Sequence, residues 1–441
     1  MLTQYLADFA ISTQASSIPE SAREVARLSL LDWLAVGIAG CEEPVSNIVR
    51  EMLAAEGGVA ESTVFGQQIK LPARAAALAN GTISHALDYD DTHFIYLGHP
   101  SVAVFPAAFA VAEKVGAGFE DFLDAALLGM ESTCRIGAWL GREHYERGFH
   151  QTATAGSFGS TLAACRLLGL DVEQTCFALG QTASRASGLK AQFGTMGKPF
   201  HAGMAASNGV EAASLAQAGF VSCASAMEAE QGFAETHSVD FNDVAVALNG
   251  LGSSWVFETV QHKFHACCHG THASLEAIGE MQGQTDLPGD SIDRVSITVH
   301  PSYLKVCNIA EPVTGLEAKF SLRFTGAMML SGWDTASLDQ FSSDACQNTE
   351  LVSLRDKIKV NTDQELTETQ AKVTITTFDG SVLSASHDLD NPMSTEIRQQ
   401  KVCHKAAALI GGQHQGNIWQ NIIAPDADSM NVLATTVANS N

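Results

Sequence analysis

An acidic segment that also contains histidines has the composition of an acid–base site. It reads His85-Ala-Leu-Asp-Tyr-Asp-Asp-Thr-His93 and is followed by Gly98-His-Pro-Ser101, so three carboxylates and three histidines fall within fifteen residues. Imidazole and carboxylate groups transfer protons near neutral pH. His99 precedes a proline, which favours an extended or turn backbone and would help to fix its imidazole. The alternative is a solvated acidic loop whose aspartates cap a helix.

A second segment, from Arg147 to Gly159, has a histidine where a helix of small residues would begin. The first turn of a helix offers free backbone N–H groups and a positive dipole to an anion. His150 would then lie beside a bound carboxylate. The alternative is that Gly156 and Gly159 only allow helices to pack closely.

A third segment, Gly194-Thr-Met-Gly-Lys-Pro-Phe-His-Ala-Gly203, contains an isolated cation. Lys198 is the last lysine or arginine before Lys263, so a solvated surface charge is a less natural interpretation here than elsewhere. A buried lysine could bind a substrate carboxylate, exchange protons or form a Schiff base. The alternative is a structural ion pair with the Asp88–Asp91 cluster.

The fourth segment is His262-Lys-Phe-His-Ala-Cys-Cys-His-Gly-Thr-His272. Its histidines at 265, 269 and 272 have the spacing i, i+4, i+7, and with the adjacent cysteines they suggest the metal site of a metallohydrolase. However, H-E-x-x-H is missing, Gly270 weakens a helix, and adjacent cysteines cannot easily ligate one tetrahedral ion. We expect no metal here, and one catalytic or substrate-binding histidine.

Motifs that bind common cofactors are missing from the sequence. It has no G-x-G-x-x-G after a strand, no P-loop and no G-x-S-x-G elbow, so nicotinamide, ATP and α/β-hydrolase chemistry lack their usual supports. We therefore expect no cofactor. The formal net charge of −24 argues against nucleic acid or an anionic membrane as a partner, because both require a basic surface. A small anion could still bind in a local cationic pocket.

The sequence indicates a cytoplasmic protein with reduced cysteines. Met1–Ile18 carries no basic run and no uninterrupted apolar block, which argues against a signal or transit peptide. Apolar runs such as Val102–Val111 are far shorter than the ~20 residues that span a bilayer. The ten cysteines form no C-x-x-C pair, so we interpret them as buried thiols.

The elements that must position these segments form a mainly α fold with a smaller α+β domain. A chain of 441 residues exceeds the ~250 to 300 residues at which one core stops growing, which favours two domains. Helix signals dominate the first 260 residues and begin with a predicted capping box of Ser17 and Glu20, followed by the apolar stretch Val25–Ile38.

Strand patterns are concentrated after Ser291. We predict strands over Val295–His300, Lys357–Val360, Lys372–Thr377 and Ser381–Ser386, a hairpin turn at Asp379-Gly380, and a helix over Leu316–Leu330. The predicted domains are a helical domain over residues 1–264, an α+β lid domain over 265–393, and a segment over 394–441 that returns to the helical domain.

Together, these motifs resemble the MmgE/PrpD family from Ser17 to about Gly411. The resemblance implies a large all-helical domain with an α+β lid, and a homodimer without a cofactor. By resemblance to the cis-aconitate decarboxylases of that family, the active site is expected to contain Asp88, Thr92, His99, His150, Lys198 and His272. The spacing from Thr92 to His99 is slightly longer than in those decarboxylases.

The family also contains 2-methylcitrate dehydratases and iminodisuccinate epimerases. The dehydratases tend to have a Pro-Ala-Glu type segment where this chain has Phe264-His-Ala-Cys-Cys268, and they usually lack Gly148-Phe-His150. Both departures speak against a dehydratase, and the His-Ala-Cys segment resembles the epimerases. The favoured reaction is therefore epimerisation of an iminodisuccinate-like substrate, with a lyase reaction of the same family as the alternative.

All three reactions require chemistry at a carbon beside a carboxylate, where negative charge develops. As a hypothesis, Lys198 and the helix after His150 hold the substrate carboxylates, and His99 or His150 transfers the proton. Asp88 and Thr92 are predicted to bind substrate, and His272 to be catalytic. Because His272 lies at the predicted domain junction, we expect an interdomain cleft. The alternatives from other classes are a His-ligated metallohydrolase and a non-catalytic binding protein.

Overall fold

Helices form the larger of the two units into which the chain divides. The computed structural model describes residues 1–285 and 287–440. The first unit contains Met1–His262 together with the C-terminal residues from Ile410 onward, and the second contains Lys263–Leu409. Residues 394–409, which the sequence assigns to the returning segment, thus lie in the second unit. The fold class predicted from the sequence is confirmed.

The first unit is built from helices with one short hairpin. Its helices are Leu2–Ser12 (α1), Glu20–Ala39 (α2), Pro44–Glu56 (α3), Ala73–Ser84 (α4), Pro100–Val115 (α5), Phe119–Glu146 (α6), Gln151–Leu167 (α7), Val172–Ala183 (α8), Gly197–Gln217 (α9), Phe233–His237 (α10) and Val244–Leu248 (α11). Strands Ser62–Val64 (β1) and Gln67–Leu71 (β2) pair antiparallel. The C-terminal helices of this unit are introduced below in chain order.

Small residues allow the central helices α4, α7 and α9 to approach closely. A side chain at Gly81 of α4 would come within 2.8 Å of the Gly203 backbone of α9, and one at Gly209 within 2.5 Å of the Ser160 backbone of α7. Such distances leave no room for a methyl group. The packing role considered for Gly156 is also confirmed, because its Cβ would lie 2.7 Å from Ala103 Cβ.

The second unit packs helices on a four-stranded mixed sheet. Its elements are His272–Gln284 (α12), Ile292–Val299 (β3), Gly315–Ala318 (α13), Leu322–Leu330 (α14), Ser343–Gln347 (α15), Thr349–Asp356 (α16), Ile358–Thr362 (β4), Gln370–Thr377 (β5), Val382–Asp388 (β6) and Thr395–Ile410 (α17). The strand order is β4-β3-β5-β6. Strand β3 runs parallel to β4 and antiparallel to β5. Helices Gly412–Ile423 (α18) and Ser429–Ala438 (α19) follow in the first unit.

The predicted strands are confirmed within a few residues of their bounds. Alternate residues of β3, among them Val295 and Ile297, are buried in the core of the second unit, as a strand with one covered face requires. Gly380 has a φ of +88° in the turn between β5 and β6, which suits glycine. This turn was also predicted.

Two local predictions were wrong. Ser17 does not cap α2; its hydroxyl donates to the Gln14 carbonyl, and Pro19 occupies the N-cap position. The helix predicted over Leu316–Leu330 is divided into α13 and α14, because Ser321 accepts a hydrogen bond from the Phe324 N–H and starts a new helix. Serine competes with helix continuation through bonds of this kind.

Over the described residues, every helix is too short or too polar to cross a bilayer.

Candidate active site

Three helices of the first unit begin with residues predicted for the site. His99 is the N-cap of α5, His150 is the N-cap of α7, and Lys198 is the second residue of α9. The rings of His99 and His150 lie 6.4 Å apart between centroids. The first turns of helices carry positive dipole and N–H groups, so the arrangement favours a bound anion. The sequence indicated this property for one of these helices, and the structure extends it to three.

Asp88 connects Lys198 to His99. Lys198 Nζ lies 2.5 Å from Asp88 Oδ2, and His99 Nε2 lies 3.6 Å from Asp88 Oδ1. Asp88 has a φ of +50°, a left-handed conformation that aspartate tolerates better than most residues. The ion pair considered as an alternative role of Lys198 is therefore present, and it lies beside an imidazole suited to acid–base chemistry.

The site is exposed at one end and enclosed at the other. The side chain of Asp88 is 47% exposed and that of Lys198 15%, whereas His99 and His150 are buried. A small molecule entering from solvent would meet the ion pair first and the imidazoles next.

Asp90 lies deeper, between two imidazoles. Its carboxylate accepts a hydrogen bond from His85 Nδ1 at 2.7 Å, and its other oxygen lies 2.8 Å from His99 Nδ1. Burial would raise the pKa of Asp90, but the two imidazoles outweigh that effect and hold the pKa well below its ordinary value. Asp90 is therefore a permanent carboxylate in the physiological range.

Burial favours the neutral form of His99, His150 and His201. Burial lowers the pKa of His99 to about 4, although Asp90 opposes the shift. Burial and then the Lys198 charge lower the pKa of His150 well below its ordinary value, and burial lowers that of His201 to about 4. Neutral imidazoles can accept a proton or donate an N–H hydrogen bond.

Contacts with His201 and Phe193 hold the ring of His150 in place. Its Nδ1 lies 3.1 Å from His201 Nδ1, in a hydrogen bond between the two rings, and the edge of Phe193 packs against it at 4.9 Å between centroids. Lys198 Nζ lies 5.3 Å from the centre of the same Phe193 ring, within reach of a cation–π interaction. Phe193 thus contacts both the base candidate and the cation.

Thr92 and His272 each make contacts within their own unit. Thr92 follows in the same loop as Asp88 and pairs with Gln261, to whose carbonyl its backbone N–H donates at 2.8 Å. His272 begins α12 in the second unit, where its ring lies 5.0 Å from His265 and 4.8 Å from His269. Within the first unit, the structure brings together the predicted residues Asp88, His99, His150 and Lys198.

The histidines considered for a metal site have other contacts. His265 Nδ1 lies 2.6 Å from the Thr335 hydroxyl, and its Nε2 lies 3.4 Å from Glu276. Within residues 1–285 and 287–440, the group compact enough to hold an ion is instead His85, Asp88, Asp90 and His99, with ligand atoms within 4.8 Å of one another. The carboxylates of this group are contacted by Lys198 and by the two imidazoles.

Sequence reasoning did not assign His85, Asp90, Phe193 or His201 to the site. His85 and Asp90 lie in the first predicted segment, but composition cannot distinguish one aspartate of such a run from its neighbours. His201 could have been found, because it lies three residues after Lys198 and so on the same side of a helix. Phe193 carried no comparable signal.

Comparison with known proteins assigns the chain to a family. The MmgE/PrpD N-terminal domain model matches residues 4–244, and the C-terminal domain model matches residues 265–422. The fold and the comparison together define the class of protein. It is an epimerase or lyase with a mainly helical fold and an α+β unit. The chain belongs to the MmgE/PrpD family.

Curated relatives carry a more specific name. A cis-aconitate decarboxylase-like protein of Aspergillus oryzae is 26% identical over 98% of this chain and 96% of its own length. The cis-aconitate decarboxylase of Aspergillus terreus is 28% identical over 93% of this chain and 89% of its own length. The human cis-aconitate decarboxylase is 30% identical over 69% of this chain and 65% of its own length.

Proposed function

We propose that this protein is a cofactor-independent carbon–carbon lyase that decarboxylates a small unsaturated tricarboxylate of the cis-aconitate type. The observation that carries the proposal is the Lys198–Asp88 ion pair beside the buried imidazoles of His99 and His150. The names of the relatives support the lyase alternative better than the epimerisation favoured by the sequence.

Substrate binding would use the positive ends of the site. Lys198 and the first turns of α5, α7 and α9 offer a charge and N–H groups to carboxylates. A substrate carboxylate would compete with Asp88 for the lysine. The net charge of −24 repels anions from the rest of the protein. Anion binding should therefore be confined to this local cation.

The reaction would need one bond cleavage and one proton transfer. In a cis-aconitate-type substrate, the bond between a CH₂ carbon and its carboxylate breaks, carbon dioxide leaves, and the electron pair moves through the double bond to the carbon beside another carboxylate. A proton added to that carbon completes an unsaturated dicarboxylate. Lys198 and the helix N-termini would stabilise the charge of the intermediate, and His99 or His150, protonated when the anion binds, would supply the proton.

Epimerisation remains a second candidate for a geometric reason. An epimerase needs two acid–base groups on opposite faces of one carbon, and the rings of His99 and His150 are 6.4 Å apart between centroids. The two neighbouring imidazoles would supply the two acid–base groups that this reaction requires.

Proton NMR in deuterium oxide distinguishes these reactions. The panel contains cis-aconitate, 2-methylcitrate and iminodisuccinate. We expect cis-aconitate to lose carbon dioxide and to give a dicarboxylate with one deuterium at the carbon beside a carboxylate. Deuterium exchange of iminodisuccinate without loss of carbon dioxide or water would instead support epimerisation. If the protein turned over none of the three acids, the proposed function would be wrong.

A further inference from the structure

The carboxylate of Asp90 contacts two imidazoles at once. Its oxygens lie 2.7 Å from His85 Nδ1 and 2.8 Å from His99 Nδ1. The side chain is fully buried, as is that of His85, and the two rings lie 4.6 Å apart between centroids in an edge-on contact. A single carboxylate thus contacts two imidazole rings that also pack against each other.

The charge of Asp90 determines which nitrogen of each ring carries the proton. The His85 contact is a hydrogen bond, whereas the 2.8 Å approach of His99 Nδ1 to Asp90 lacks hydrogen-bond geometry. An ionised carboxylate accepts hydrogen bonds and repels a nitrogen lone pair, so both nitrogens are expected to carry an N–H. His85 therefore presents an Nδ1–H to Asp90, and the neutral His99 ring is protonated on Nδ1 and presents Nε2 as an acceptor. His99 Nε2 lies 3.6 Å from Asp88 Oδ1, beside the ion pair with Lys198.

His85 Nε2 gives an independent indication. It is buried and has no hydrogen-bond partner within the described part of the chain. Buried imidazole nitrogens are ordinarily satisfied, and leaving one without a partner costs free energy. A ring nitrogen left open in this way, next to His99 and His150, fits a site that a ligand completes.

We propose that Asp90 is a positioning residue, which holds both His85 and His99 with Nδ1 protonated and Nε2 directed to the reaction. The charged and titratable groups around the pair are Asp88, Lys198, His150 and His201. The kinetic part of this inference rests on the proposed function, because it needs a substrate that turns over.

The neighbouring acid Asp91 provides a matched control. It is equally buried, but it accepts a hydrogen bond from the Ser101 hydroxyl at 2.5 Å. Burial, and then the nearby Asp32, raise the pKa of Asp91 to about 7. An asparagine at this position therefore resembles the protonated acid, and Asp91→Asn removes a buried carboxyl group without changing the contacts of His85 or His99 that are described above.

The test compares Asp90→Asn with Asp91→Asn. An amide has one acceptor oxygen and one donor NH₂, so it can bond only one of the two Nδ1–H groups, and the other ring must move its proton to Nε2. We expect kcat to fall about 10²-fold or more, the scale of general acid–base catalysis, with KM within about 3-fold. Because Asp90 raises the pKa of His99, the limb of the pH profile set by His99 should move to lower pH. Asp91→Asn should leave kcat and the profile within about 3-fold of wild type.

Imidazole nitrogen NMR tests the same inference without turnover. In ¹⁵N-labelled wild-type protein, with the two rings assigned by His85→Gln and His99→Gln, both should be protonated at Nδ1, and one should switch in Asp90→Asn. A wild-type ring protonated at Nε2, or equal kinetic losses in the two asparagine variants, would overturn the inference. If wild type turned over no acid of the panel, the proposed function would fail, while the NMR result would still decide the role of Asp90.

Discussion

At the scale of the residue, the proposed function requires Lys198 to exchange the Asp88 carboxylate for that of the substrate. Its ion pair with Asp88, at 2.5 Å, satisfies the ammonium until a substrate carboxylate takes its place. We predict that Lys198→Ala lowers kcat/KM by about 10² to 10³, the loss expected when one group that stabilises developing charge is removed. Steady-state kinetics with cis-aconitate measures the effect.

Lys190 is the matched control for that substitution. It precedes α9, and its Nζ donates to the Tyr145 carbonyl at 3.0 Å and lies over the Tyr145 ring. Lys190→Ala should change kcat/KM less than about 2-fold, as a surface ion or cation–π contact would. Equal losses in both lysine variants would show that the effect of Lys198 is not specific to the site.

Also at the residue scale, anion binding should be accompanied by proton uptake. The pKa of His99 is about 4 in the free protein because of burial, so the ring is neutral at pH 7. A bound polycarboxylate adds negative charge, raises imidazole pKa values and should draw a proton from solution. kcat/KM for a reaction that uses this proton should rise as pH falls from 8 to 6.

Calorimetry checks this prediction. The ligand is propane-1,2,3-tricarboxylate, which lacks the double bond needed to accept the electron pair. Binding heats in two buffers of different ionisation enthalpy give the number of protons taken up, and His99→Gln should reduce it. Zero uptake, or proton release, would contradict the prediction that anion binding protonates His99.

At the scale of the element, close helix packing places the site, because α7 and α9 contribute His150 and Lys198. A methyl group at Gly209 of α9 would lie 2.5 Å from the Ser160 backbone, so Gly209→Ala should destabilise by about 1 to 3 kcal/mol through overpacking. Urea unfolding measures the free energy of unfolding of each variant.

Gly416 of α18 serves as the control helical glycine. A side chain there would have open space, and Gly416→Ala should stabilise by about 0.5 to 1 kcal/mol, because alanine favours a helix. A Gly209→Ala protein as stable as wild type would mean that α7 and α9 can separate without cost.

The sequence predicted elements better than their ends. The alternation of β3 and the apolar stretch Val25–Ile38 have the period of a strand and of a helix, so both were found. The break at Ser321 and the failure of Ser17 to cap depend on which nearby backbone group each hydroxyl reaches, and composition does not specify that. The site followed the same rule: residue types located Lys198 and His150, but only the folded chain distinguishes Asp90 from Asp91.

At the scale of the whole molecule, charge should govern how the substrate arrives. The net charge of −24 repels a polycarboxylate over distances that salt screens, with a Debye length of about 10 Å at 0.1 M. We predict that raising sodium chloride from 10 to 150 mM increases kcat/KM about 2- to 5-fold, as screened association would, and leaves kcat nearly unchanged. A fall in kcat/KM would show that the attraction by Lys198 outweighs the repulsion by the rest of the protein.

The anchoring of His99 has a consequence for how members of this family can diverge. Its backbone N–H donates to the hydroxyl of Thr152 in α7 at 3.0 Å, and Pro100 begins α5 directly after it. The backbone of His99 is therefore anchored to these two helices. The loop between Thr92 and His99 closes on itself, since the His93 N–H donates to the Gly98 carbonyl at 2.9 Å. A change in the length of that loop during evolution should therefore displace the acid–base group little.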